Sequence, residues 1–155
     1  MRRLLLLAVA SLLAACGASP EQRLEQARGQ LASGSYAEAS ASASAALAAG
    51  AEGATAWRLE LVALEAEARG KKTEAVLARL ERLAGAWAKQ VGGSLFVQTA
   101  GQVRDAGDPA GAIQVLDAGA KRFPEDADVQ KAIAQAKAGG TAAELEQLRS
   151  LGYIE

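Results

Sequence analysis

The one thiol in this chain belongs to Cys16, its one cysteine. A thiol acts through its thiolate, and Cys16 follows Leu13-Ala-Ala. With no second cysteine, an internal disulfide is excluded. There is no histidine, so the usual general base and the commonest zinc ligand are both missing, and no Gly-rich loop follows a strand to cradle phosphate. Carboxylate pairs do occur, Glu65 with Glu67 and Asp126 with Asp128. Two residues apart on a helix they point in different directions, and solvated surface is their expected place. The residue types argue against an enzyme and supply neither a cofactor site nor a metal site.

The segment that positions Cys16 begins Met-Arg-Arg and continues as an apolar run from Leu4 to Ala15, broken only by Ser11. Two cations before a run of this length form a secretory leader, too short to span a ~30 Å hydrocarbon core. Residues 1–15 are therefore set apart from the fold as a signal peptide, and 16–19 as a short tether. Leu13-Ala-Ala-Cys16 resembles the lipobox of bacterial lipoprotein precursors. That resemblance implies cleavage before Cys16, a thioether-linked diacylglycerol on its sulfur, and acylation of the new amino group. Gly17 stands where such families carry Asp for inner-membrane retention, so the resemblance implies the outer membrane, facing the periplasm. At ~0.8 kcal/mol per buried methylene, two or three acyl chains make release negligible.

Lys plus Arg number 17 and Asp plus Glu 18, and loss of Arg2 and Arg3 with the leader leaves the mature chain acidic. No basic patch points to nucleic acid. Half the residues are apolar and 4% aromatic, which fits one modest all-helical domain.

A repeated frame organises that domain. Gly, four residues, then Ala occurs at Gly34 to Ala39, Gly70 to Ala75 and Gly107 to Ala112, with copies 36 and 37 residues apart. Such a period predicts helical hairpins stacked into a solenoid, because each hairpin has an apolar face it cannot bury alone. The third copy is the clearest: Asp108 is an N-cap, Pro109 enters the first turn, Ile113 and Leu116 form a stripe, and Phe123-Pro124 stops the helix. Hairpins are expected at about 20–50, 53–90 and 94–123, with a capping helix at 126–138. A separate amphipathic segment, 139–155, starts from a Thr141/Glu144 capping box, carries Leu145, Leu148 and Leu151, and has Gly152 as a left-handed stop. The Leu stripe of that segment either folds back over the end of the array or docks elsewhere.

The block 20–138 resembles tetratricopeptide repeats. In the third copy the matching residues are Phe96, Ala100, Val103, Gly107, Ala112, Leu116, Gly119 and Pro124; in the first, Ala27, Gly34, Tyr36, Ala39 and Ala46. The second keeps Leu59, Ala63, Gly70 and Ala75 but has Arg79 and Arg82 where apolar or small residues are expected. The resemblance implies a right-handed all-α solenoid of about seven helices plus a short C-terminal one. It also implies a concave side, lined by the first helix of each hairpin, that holds a protein or peptide partner. Arg28, Trp57, Glu60, Leu64 and Arg104 fall on that side, and no small-molecule substrate is expected. Trp57 also belongs to a Trp57, Leu61, Leu64 stripe at helical spacing, which reads as core. Two roles stay open for the whole chain: a groove that binds a peptide, and an accessory subunit that packs whole surfaces within a secretion, pilus or outer-membrane assembly complex.

Overall fold

The computed structural model describes residues 18–155, so the expected leader and Cys16 lie outside the described residues. Eight α-helices and no strand occur among them: α1 (Pro20–Ala32), α2 (Tyr36–Ala48), α3 (Gly53–Arg69), α4 (Thr73–Ala86), α5 (Gly93–Asp105), α6 (Pro109–Arg122), α7 (Ala127–Gly139) and α8 (Ala142–Ser150). None is long and apolar enough to cross a membrane. Apart from α4 and α5, each helix packs on its sequence neighbour, and α1, α3, α5 and α7 form one row while α4, α6 and α8 form another. This is a helical-hairpin solenoid.

Local chemistry sets the ends. Ser19 and Gln22 form a capping box on α1, Thr141 and Glu144 another on α8, and the Asp108 side chain accepts from the Gly111 N–H at 2.9 Å. The first three hairpin turns are alike. The backbone N–H of Ser35, Lys72 and Asp108 donates to the carbonyl six-to-one across the helix end, on Gln30, Glu67 and Val103. The residue just before each, Gly34, Lys71 and Gly107, adopts the left-handed conformation, with φ of 81°, 57° and 90°.

That alignment moves the second copy. Its left-handed residue is Lys71 rather than Gly70, so the spacings are 37 and then 36. The structural equivalent of Ala39 and Ala112 is Val76, fully buried, while Ala75 is exposed. In the shifted register Leu80 and Leu83 take the places of Leu116 and Gly119, and both are fully buried. Helix α4 is therefore properly packed, but its bulkier contact residues hold it farther from α3. Ala39, Ala43 and Ala46 let α2 lie close on α1, and Ala112 and Gly119 do the same for α6 on α5. A Cβ on Gly119 would lie 2.9 Å from the Phe96 Cβ.

Helices α7 and α8 pair as a fourth hairpin rather than as a cap followed by a separate tail. Leu148 is fully buried in the main core, with Leu145, Leu151, Tyr153 and Ile154 packed against it. Helix α8 lies along α6 as α6 lies along α4. The chain end is pinned: the Tyr153 hydroxyl donates to Asp117 Oδ1 at 3.1 Å, and Lys137 Nζ sits 5.2 Å from the ring centre. Burial first, then the Asp117 carboxylate, pushes the Tyr153 hydroxyl above its ordinary pKa.

The apolar interior is divided in two. A small cluster joins α1, α2 and one face of α3 through Leu24, Ala27, Ala43, Ala46, Leu59, Val62 and Ala63. The large cluster runs from Leu64 and Ala68 of α3 through α8.

Candidate functional site

An open groove in the row of first helices lies between α3 and α5. Residues at helical spacing on α3 supply Trp57, Leu61 and Leu64, and α5 supplies Ser94, Gln98 and Gln102 along the facing wall. Gln90, in the turn after α4, closes one end, and the space measures about 340 Å³. Trp57 is half-buried and leans on Trp87, with ring centres 5.3 Å apart and planes tilted by 44°. Trp87 is the C-cap of α4, and its equivalent in the third hairpin, Phe123, pairs edge-on with Phe96 at 5.7 Å. Each of these two hairpins is thus closed at one end by an aromatic pair. The pair in the second hairpin borders the groove, while Phe96 is wholly interior.

The five residues placed on the concave side by sequence do not converge. Trp57 and Leu64 share the groove, but Leu64 is its floor, buried in the large core. Glu60 is only 3% exposed and is turned away from solvent into an ion cluster, which leaves no surface for a partner. Arg28 is exposed on α1 and pairs with Glu25 one turn back at 2.9 Å. Arg104, exposed near the end of α5, stands beside a different cavity bordered by Glu144.

The ion cluster is what sequence reasoning missed. Arg79 lies under α3, where its Nε and Nη2 donate to the two oxygens of Glu67, each at 2.7 Å, and its Nη1 donates to Glu60 Oε2 at 2.5 Å. Arg82 donates to both oxygens of Glu60 from its outer, half-exposed position. From α2, Ser40 donates to Glu67 and Ser44 accepts from Arg79. Glu67, expected on the solvated surface, is buried. Burial pushes the Glu60 carboxyl up, but hydrogen bonds and charge from Arg82 and Arg79 outweigh it and hold the group below its usual range. Burial likewise works against the Arg79 guanidinium, and Glu67 and Glu60 overcome it, raising its pKa further. The signal for this cluster was in the sequence: two carboxylates seven residues apart on one helix face, with a cation on an otherwise apolar stripe of the next.

Among the described residues the arrangement holds an ion pair network and a groove. No group of three or more metal-binding side chains occurs among the described residues. Compared with known protein families, curated proteins and solved structures, the chain matches none.

Proposed function

We propose that this chain is a lipid-anchored, tetratricopeptide-like lipoprotein of the bacterial cell envelope, acting as a protein interaction or scaffold module. Two independent features support the reading: the leader ending in Leu13-Ala-Ala-Cys16, and a stack of helical hairpins with an open groove between α3 and α5. The single observation that carries the partner role is Trp57, a half-buried amphipathic ring at the groove mouth, backed by Trp87 and flanked by the side-chain amides of Gln90, Gln98 and Gln102. Aromatic anchors of this kind dominate binding energy at protein interfaces, and amides satisfy the backbone of an extended peptide.

The alternative is an accessory subunit that packs whole surfaces within an envelope assembly. The observation on its side is that Trp57 rests on Trp87, so much of the ring already has an internal partner.

The two readings separate in one experiment, a detergent-solubilised pull-down after in-cell crosslinking with native protein, Trp57→Ala and Cys16→Ser. Loss of a single partner with Trp57→Ala, in protein that still melts cooperatively, is the result expected for the groove. A melting temperature that falls by the equivalent of ~3–5 kcal/mol would instead make Trp57 a core residue. Partners lost only with Cys16→Ser would assign the function to membrane placement.

A further inference from the structure

Behind Arg104 the fourth hairpin leaves a cavity that does not belong to the Trp57 groove. It measures about 160 Å³ and lies where α5, α6, α7 and α8 meet. About half of its lining is apolar, chiefly Ala100, Ile113, Leu116, Ala132 and Ala136, and Arg104, Gln135 and Glu144 supply polar side chains. At one end stands the Glu144 carboxylate, whose side chain is 5% exposed. One of its oxygens, Oε2, is used by the capping box and accepts from the Thr141 N–H at 2.7 Å. The other, Oε1, has only the Arg104 guanidinium, at 3.9 Å, too far for a hydrogen bond. Arg104 is 59% exposed and reaches in from the rim. Helix α7 ends at Gly139, and Gly139 and Gly140 border the same cavity, which adds the negative end of a helix dipole.

A largely buried carboxylate with one oxygen free of hydrogen bonds, a helix C-terminus and aliphatic carbon along one side of the cavity favour a cation carried on an apolar stem. At roughly 30 Å³ per water, the space holds about five non-hydrogen atoms. We propose that this cavity binds a primary alkylammonium about the size of butylammonium. Its ammonium donates to Glu144 Oε1, its methylenes lie against Ala100, Ala132 and Ala136, and Arg104 swings out to solvent as it enters. A free aliphatic amine and the lysine side chain of a partner protein present this same group. The site stands or falls independently of whether the Trp57 groove holds a peptide.

The test is an NMR titration of the full-length protein in detergent micelles, following the amide signals of Gly101, Gly139 and Gly140. The probes are n-butylammonium, n-butanol as its neutral counterpart, and an acetylated, amidated tripeptide with one central lysine. Saturable shifts with n-butylammonium and none with n-butanol are expected. Glu144→Gln preserves the capping box, since Gln22 makes the same bond in α1, and should weaken binding roughly tenfold or more with an unchanged melting curve. Arg104→Ala removes the resident cation and should tighten it. Shifts with the tripeptide as well assign the natural ligand to a protein lysine, and shifts with the amine alone assign it to a free amine. The proposal is overturned if n-butylammonium gives no saturable shift, if n-butanol binds equally, if folded Glu144→Gln binds as the native protein does, or if Arg104→Ala abolishes binding.

Discussion

The second and third hairpins solve one packing problem in opposite ways. In the third, Phe96 and Val103 of α5 meet Val115 of α6, all fully buried or within one per cent of it. At the equivalent places in the second stand Glu60, Glu67 and Arg79. An apolar triad gains from burial and dispersion with no orientation to satisfy. An ionic triad must first recover the desolvation of three charges, which the bidentate Arg79 to Glu67 bond, the Glu60 bonds and the two serines of α2 accomplish. The polar version also divides the interior, with the small core of the first hairpin on one side and the large core on the other. The first hairpin is polar at the same three places, Arg23, Gln30 and Ser42, and there Gln30 Oε1 is buried without a partner. What the difference teaches is that a repeat position accepts apolar or charged side chains, and that the charged version is held where each charge finds a partner.

The sharpest way to break this comparison is Arg79→Ala. It strands the buried Glu67 carboxylate and leaves Glu60 to Arg82 alone, and we expect a loss of ~3–5 kcal/mol by denaturant unfolding, whereas Glu60→Met, Glu67→Val and Arg79→Leu together should be neutral or stabilising by ~1–4 kcal/mol. A triple variant as unstable as the single one would show that the charges have a role beyond filling the site.

Next in size is overpacking at the close approaches of the third hairpin. Ala112→Leu should cost ~1–3 kcal/mol, while Val76→Leu at the matching place on the more distant α4 should cost less. Equal melting temperatures for the two variants would reject the difference in helix spacing.

Acid should expose the ionic hairpin selectively. The Glu60 carboxyl is held below the ordinary Glu value near 4.5, so its contribution is complete above that pH and is lost as pH falls through the lower folded value. Amides of α2 and α4 should therefore gain hydrogen exchange below about pH 4.5 before those of α5 and α6. Glu60→Gln should flatten this pH dependence; exchange that rises uniformly across the chain would contradict it.

The smallest effect concerns the turn. Lys71 carries a φ of 57° where the other copies have glycine. Lys71→Gly relieves ~1–2 kcal/mol of left-handed strain and returns part of that as unfolded-chain entropy, so a net gain of roughly 0.5–1 kcal/mol is expected in thermal melts. A loss would mean that the Lys71 side chain, whose Nζ lies over Gly107, contributes more than the strain it imposes.

Helix positions and caps were legible because they depend on local chemistry. Ser19 with Gln22, Asp108 with Pro109, Thr141 with Glu144 and the left-handed Gly152 all satisfy backbone groups within a few residues of themselves. The second hairpin was expected to run to about residue 90, yet α4 ends at Ala86 with Trp87 turned as a cap. The site was less legible. Trp57 was placed at the groove, but Glu60 and Leu64 were assigned to it from a frame that treats the outer stripe of α3 as solvent, and neighbours on both sides cover that stripe.

By itself the sequence determined the all-helical class, the period and the punctuation of each hairpin, since alternation of apolar residues and capping groups acts within one helix. Tertiary structure alone decided the register of the second copy, the pairing of α7 with α8 into a fourth hairpin, and the fate of Arg79. The physical reason is one of range: a charge on an apolar stripe reads as a defect until the opposing helix supplies carboxylates within hydrogen-bond distance, and only packing fixes which side chains meet.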